Sequence, residues 1–139
     1  MTKLEQNKAI ARDYLNEIVN KGNLAAFDSY FSADVLFNGS RDLRQILARG
    51  QTMRRAFSGY HLIVRDQVAE GDKVVTRVTF HGTHTGPFNG IAPTGKQVEW
   101  PGMAMDRMTD GKVVEMWHLQ NMTALMQQIG GAPPSTSKT

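Results

Sequence analysis

After Gly59 the spacing of apolar residues changes, and no other feature of the sequence constrains the fold as strongly. Before it, apolar residues recur at intervals of three and four. Leu4, Ala11, Leu15, Ile18 and Val19, with Tyr14 beside them, mark an amphipathic helix over 3–20 that ends at Asn20-Lys21-Gly22-Asn23. Leu24, Phe27, Tyr30 and Phe31 predict a second, short helix, and 34–38 reads as a short strand. Leu43, Ile46, Leu47, Met53 and Phe57 mark the buried side of a third helix over 42–57, with Gly50 weakening its middle. Beyond Gly59 the stretches 60–70, 73–84, 96–108 and 112–121 read as strands, separated by Gly71-Asp72, by a long loop and by Thr109-Asp110-Gly111. Helices first and consecutive strands afterwards predict an α+β domain, with the helices on one side of an antiparallel sheet. Strong curvature of such a sheet makes a cone, and the open end of a cone is a pocket, usually apolar with a few convergent polar groups.

This domain is expected to occupy 1–130, and the Pro-, Gly- and Ser-rich tail 131–139 to be disordered. A chain of 139 residues with 40% hydrophobic content can bury a core, and no apolar run is long enough to cross a bilayer. The charged opening M-T-K-L-E-Q-N-K leads straight into a helical pattern without a signal or transit segment, so a cytoplasmic protein is expected. The absence of cysteine excludes disulfides, thiolate nucleophiles and thiolate metal sites.

The net charge of +3 is unevenly spread. Arg41, Arg44, Arg49, Arg54 and Arg55 fall within 41–57, opposed there only by Asp42. Such a cluster serves nucleic acid, an anionic substrate, or simply a solvated helix face. The aromatic interleaving of a single-strand binder is missing, which favours the solvated face and argues against a nucleic-acid partner.

The stretch G-T-H-T-G-P-F-N-G-I-A-P-T-G-K, 82–96, followed by D-R-M-T-D-G-K-V-V-E-M-W, carries a resemblance to the SnoaL-like polyketide cyclases. These lie within the larger group of folds similar to nuclear transport factor 2 and ketosteroid isomerase. The resemblance extends over 9–130 and implies N-terminal helices packed on a strongly curved antiparallel sheet that encloses a pocket. In the family's cyclases it implies an aspartate on the last strand as acid/base for an aldol closure, assisted by a histidine on the preceding strand. Counted outward from Asp110-Gly111-Lys112, these positions fall on Asn121 and Ala104. An amide does not titrate, so Asn121 is expected to donate a hydrogen bond to a carbonyl or enolate oxygen instead of moving a proton.

His118 is the nearest titrating candidate for catalysis. Period two, however, puts Trp117, Leu119 and Asn121 on one face and Met116, His118 and Gln120 on the other, so a cavity-facing Asn121 turns His118 outward unless a bulge intervenes. On the preceding strand Trp100, Gly102 and Ala104 share a face, with Met103 and Met105 opposite. The expected ligand-binding residues are therefore Trp117, Trp100, Leu119, Gly102 and Ala104, joined by Asn38, which reads equally as a turn residue in Asn38-Gly39. Trp117 and Asn121 lie about 13 Å apart along a strand, which suits a polycyclic or long-chain ligand. His81 and His84 have the spacing of a weak metal pair but no carboxylate companion nearby in sequence, and read as structural. His84, within the 82–96 loop, is expected to hold the hairpin.

Two readings remain open. One is an enzyme on a hydrophobic carbonyl compound, a cyclase, an isomerase or a hydroxylase acting without cofactor or metal; the resemblance implies hydroxylation for some members. The other is a small-molecule binding protein without chemistry. An outer sheet face carrying Met103, Met105, Met116 and His118 is too apolar for water, and predicts a homodimer.

Overall fold

The computed structural model describes residues 1–130, except the side chains of 43–46. The expected tail, 131–139, and the Leu43 and Ile46 side chains lie outside the described residues. Helix α1 covers Lys3–Tyr14 and begins where Thr2 accepts a hydrogen bond from the Glu5 N–H at 3.1 Å. The helix continues as a π-helical stretch, Leu15–Asn20. A 3-10 turn, Leu24–Ala26, leads into α2, Phe27–Tyr30, then β1, Phe31–Phe37, and α3, Leu43–Ala56. Four long strands follow, β2 (Phe57–Glu70), β3 (Lys73–His84), β4 (Gln97–Thr109) and β5 (Lys112–Gln120). A short helix α4, Met122–Gln128, succeeds β5, in a stretch for which the spacing of apolar residues predicts no element. The architecture is α+β, with helices packed on one five-stranded sheet.

The sheet runs β1-β5-β4-β3-β2. The hairpin partners are antiparallel as expected, but β1 pairs with β5 in parallel, which makes the sheet mixed and corrects the antiparallel expectation. A hairpin fixes the direction of its two strands, whereas β1 reaches its neighbour only through α3 and three intervening strands, so no local signal sets its direction. Asp110 and Gly111 both take positive φ, 51° and 79°, the backbone that a tight two-residue hairpin turn requires.

Residues of alternate parity on β3 and β4, among them Val74, Val78, Phe80, Trp100 and Ala104, are buried on the helix-covered face. Met103, Met105, Trp117 and Leu119 stand exposed on the opposite face. No helix among the described residues is long and apolar enough to cross a membrane.

Candidate functional site

One residue decides which side chains of β5 meet the cavity. Directly after the turn, Thr109 pairs with Lys112 and Met108 with Val113; from there the register shifts, and Arg107 pairs with Glu115. Val114 is the extra residue of a β-bulge. Because side chains alternate, one inserted residue turns every later side chain of the strand to the other face. Without the bulge Ala104 would face Trp117. With it, Ala104 pairs with His118, Asp106 with Met116 and Gly102 with Gln120.

The expected faces of β5 are therefore reversed. His118, Met116 and Gln120 line a cavity between the helices and the sheet, of about 410 Å3. Trp117 is 44% exposed and Leu119 78% exposed on the outer face, and neither lines that cavity. Asn121 is also exposed; its Oδ1 accepts from the Ala124 N–H at 3.0 Å and caps α4. An N-cap needs a short side-chain acceptor at that position, which gives Asn121 a structural reason independent of any ligand. The same reversal removes Met116 and His118 from the outer face.

Of the residues expected on β4, Ala104 lines the cavity. Trp100 and Gly102 face the same side without lining it. Trp100 is 1% exposed, stacked near Phe80 at 5.6 Å and Tyr60 at 6.2 Å, and its Nε1–H donates to Gln120 Oε1 at 2.7 Å. Gly102 lies under the Phe80 ring, where a Cβ would come within 2.5 Å of Cε2. Asn38 is both a turn residue and a neighbour of the cavity. It has φ 48° at a turn and borders the cavity, while its amide clamps the His118 backbone, accepting from N–H at 2.7 Å and donating to the carbonyl at 3.2 Å. His84 holds the 82–96 loop as expected: its Nδ1 lies 3.0 Å from Thr94 Oγ1 and accepts from the Thr94 N–H at 3.2 Å. His81 faces Glu99 at 3.5 Å and stacks on His61, so it makes no pair with His84. No cluster of three or more potential metal-ligating side chains occurs among the described residues.

The cavity walls are aromatic and aliphatic, with Tyr14 from α1, Phe31 and Phe37 from β1, Met53 from α3 and Phe80 from β3. Against the Tyr14 side lies a group that sequence reasoning missed. Asp106 is fully buried, and both its carboxylate oxygens receive the Tyr14 hydroxyl, at 2.8 and 2.9 Å. The same hydroxyl is 3.2 Å from Met116 Sδ. Burial pushes the Asp106 carboxyl up to about 7, with the Tyr14 hydrogen bond pulling the other way. Burial, followed by the Asp106 charge, raises the Tyr14 phenol well above its ordinary value. Burial and the Arg49 charge push the His118 imidazole down to about 4, so its ring is neutral near pH 7. Asp106 carries a signal in the sequence, because it continues the Trp100, Gly102, Ala104 parity and so puts a carboxylate on the inner face of an apolar strand.

The pairing makes Asp106 and His118 diagonal neighbours on one concave sheet face, roughly 7–8 Å apart. A carboxyl raised by burial to about 7, behind Tyr14, and a neutral imidazole that lines the cavity are thus held on one sheet face, and groups of this kind can exchange protons near neutral pH.

A family model described as SnoaL-like polyketide cyclase matches residues 9–129. The chain is similar to AclR from Streptomyces galilaeus, a proposed hydroxylase, at 29% identity and a TM-score of 0.83, over 98% of this chain and 87% of that one. It is similar to IdmH from Streptomyces antibioticus, a proposed polyketide cyclase, at 27% identity and a TM-score of 0.79, over 93% of this chain and 99% of that one. A SnoaL-like protein from Jannaschia, at 23% identity and a TM-score of 0.78 over 96% and 98% of the two chains, shares the fold. A comparison with curated proteins finds no match.

Proposed function

This chain belongs to the SnoaL-like polyketide cyclase family, and we propose that it binds a hydrophobic, polycyclic carbonyl compound in the cavity and moves a proton on the carbon next to that carbonyl. His118 is the base. Its neutral ring faces the cavity, and Asn38 fixes its backbone on both sides. Tyr14 is the donor to the carbonyl oxygen, and Asp106 is the switch that frees its hydroxyl. While Asp106 is ionised, the Tyr14 hydroxyl is bound to it. Once Asp106 is protonated it donates to Tyr14, and the Tyr14 O–H is released to meet an enolate oxygen.

The observation that carries this reading is that His118 and Tyr14 both line one apolar cavity, with Asp106 hydrogen-bonded behind Tyr14 on the same sheet face as His118. A volume of about 410 Å3 walled by aromatic rings suits a fused-ring ligand. It replaces the Trp117-to-Asn121 distance as the reason for expecting a large one. The enolate that His118 would form serves ring closure by aldol addition or isomerisation. A second reading, hydroxylation, is favoured by the likeness to AclR. Mass spectrometry of small molecules carried through purification tests the binding half: a polycyclic carbonyl compound retained by the parent and lost when Ala104→Trp fills the cavity supports it, and retention by that variant contradicts it.

We also propose a homodimer through the outer sheet face, supported by the exposed Met103, Met105, Trp117 and Leu119.

A further inference from the structure

Arg49 stands where the cavity meets an adjoining cleft; both are lined by Arg49, Asn38, His118 and Gln120. It is exposed, and it has no hydrogen-bond or ion-pair partner among the described residues. The other cations of the cavity are engaged. Lys21 pairs with Glu17 at 3.1 Å, and Arg54 donates to the Val19 carbonyl. No carboxylate lines either the cavity or the cleft among the described residues, since Asp106 sits behind Tyr14. A guanidinium without a counter-charge, at the mouth of an apolar cavity of one sign, creates a positive potential that low-dielectric walls focus. Its planar fork matches a carboxylate in two parallel hydrogen bonds.

Gln120 does not oppose this potential. Its Oε1 accepts from Trp100 Nε1–H and its amide also hydrogen-bonds the Tyr60 hydroxyl, so this neutral, engaged side chain brings no negative charge beside Arg49. From these observations we infer that the ligand is an anion, a polycyclic carbonyl compound bearing a carboxylate that Arg49 holds at the cavity mouth. This rests on the cavity reading above and names the substrate class more narrowly. A carboxylate held there leaves the rings to the aromatic walls of the cavity that His118 also lines. It also offsets the Arg49 charge that acts on the His118 ring, so binding such an anion makes that ring a stronger base.

The test titrates the parent, Arg49→Gln and Arg49→Lys with anthracene-2-carboxylate and with its methyl ester, followed by fluorescence at low ionic strength. The acid should bind the parent roughly tenfold more tightly than the ester, a charge-assisted hydrogen bond's worth. That preference should vanish in Arg49→Gln, where acid and ester bind alike, survive in part in Arg49→Lys, and shrink as salt is added. Equal affinity of parent for acid and ester, or an undiminished preference in Arg49→Gln, overturns the inference and leaves the cavity reading standing. Failure of the parent to bind either probe overturns both.

Discussion

The Tyr14 hydroxyl and the Asp106 carboxylate, 92 residues apart in sequence, meet at 2.8 and 2.9 Å beside the cavity. The cost of keeping that carboxyl buried is measurable. Asp106 holds its proton up to about 7, whereas an exposed aspartate loses it near 3.8. At the acid end both folded and unfolded chains carry the proton and the site contributes nothing. As pH rises toward 7 the unfolded chain releases it first, and the fold is destabilised by up to about 4 kcal/mol. Asp106→Asn removes the ionisation, so its stability relative to the parent should be small near pH 4 and largest above pH 7. Urea unfolding of both proteins across that range checks this, and a pH-independent difference contradicts it.

Catalysis should follow a bell-shaped pH profile. His118 must be neutral to accept a proton, which requires a pH above about 4, and Asp106 must be protonated to release Tyr14, which requires a pH below about 7. His118→Gln should abolish turnover while retaining ligand affinity. Asp106→Asn should remove the alkaline limb. A rate measured across this range that keeps rising above pH 8 contradicts the role given to Asp106.

Asn121 makes the opposite prediction from one based on counting along the strand. As the N-cap of α4 it should tolerate Asp, and Asn121→Asp should leave the pH dependence of ligand binding unchanged. Asn121→Ala should cost about 1 kcal/mol by thermal or chemical unfolding. A new titration in the binding profile of Asn121→Asp would contradict the capping role.

The outer face gives a further outcome. The parent should be a dimer by size exclusion with light scattering at micromolar concentration, and Leu119→Glu, which adds a charge to the apolar patch, a monomer with the cavity intact. Trp117→Ala should weaken the dimer and leave ligand affinity within about twofold. A monomeric parent contradicts the proposed interface.

Most of the fold was legible because period and turn chemistry are local. The strand 73–84 lies within the expected bounds, and the other long strands within a few residues of them. The parity of β4 was right for Trp100, Gly102 and Ala104. The cavity face of β5 was not legible, because the bulge at Val114 leaves no mark in the residues around it and one residue suffices to exchange Asn121 for His118. The parallel pairing of β1 was hidden for a related reason: it depends on a contact between residues some eighty positions apart. Asp106 was legible in principle, as a charge on an inward parity, and Arg49 only as one arginine among five.

Proton abstraction by His118 is tested directly by hydrogen–deuterium exchange at the methyl group of 2-acetylanthracene, followed by proton NMR in heavy water near pH 6. The parent should accelerate loss of the methyl signal well above buffer, His118→Gln should return the rate to background while still binding the ketone, and Asn121→Ala should exchange like the parent. Exchange by the parent no faster than buffer, or by His118→Gln as fast as the parent, would contradict proton abstraction by His118.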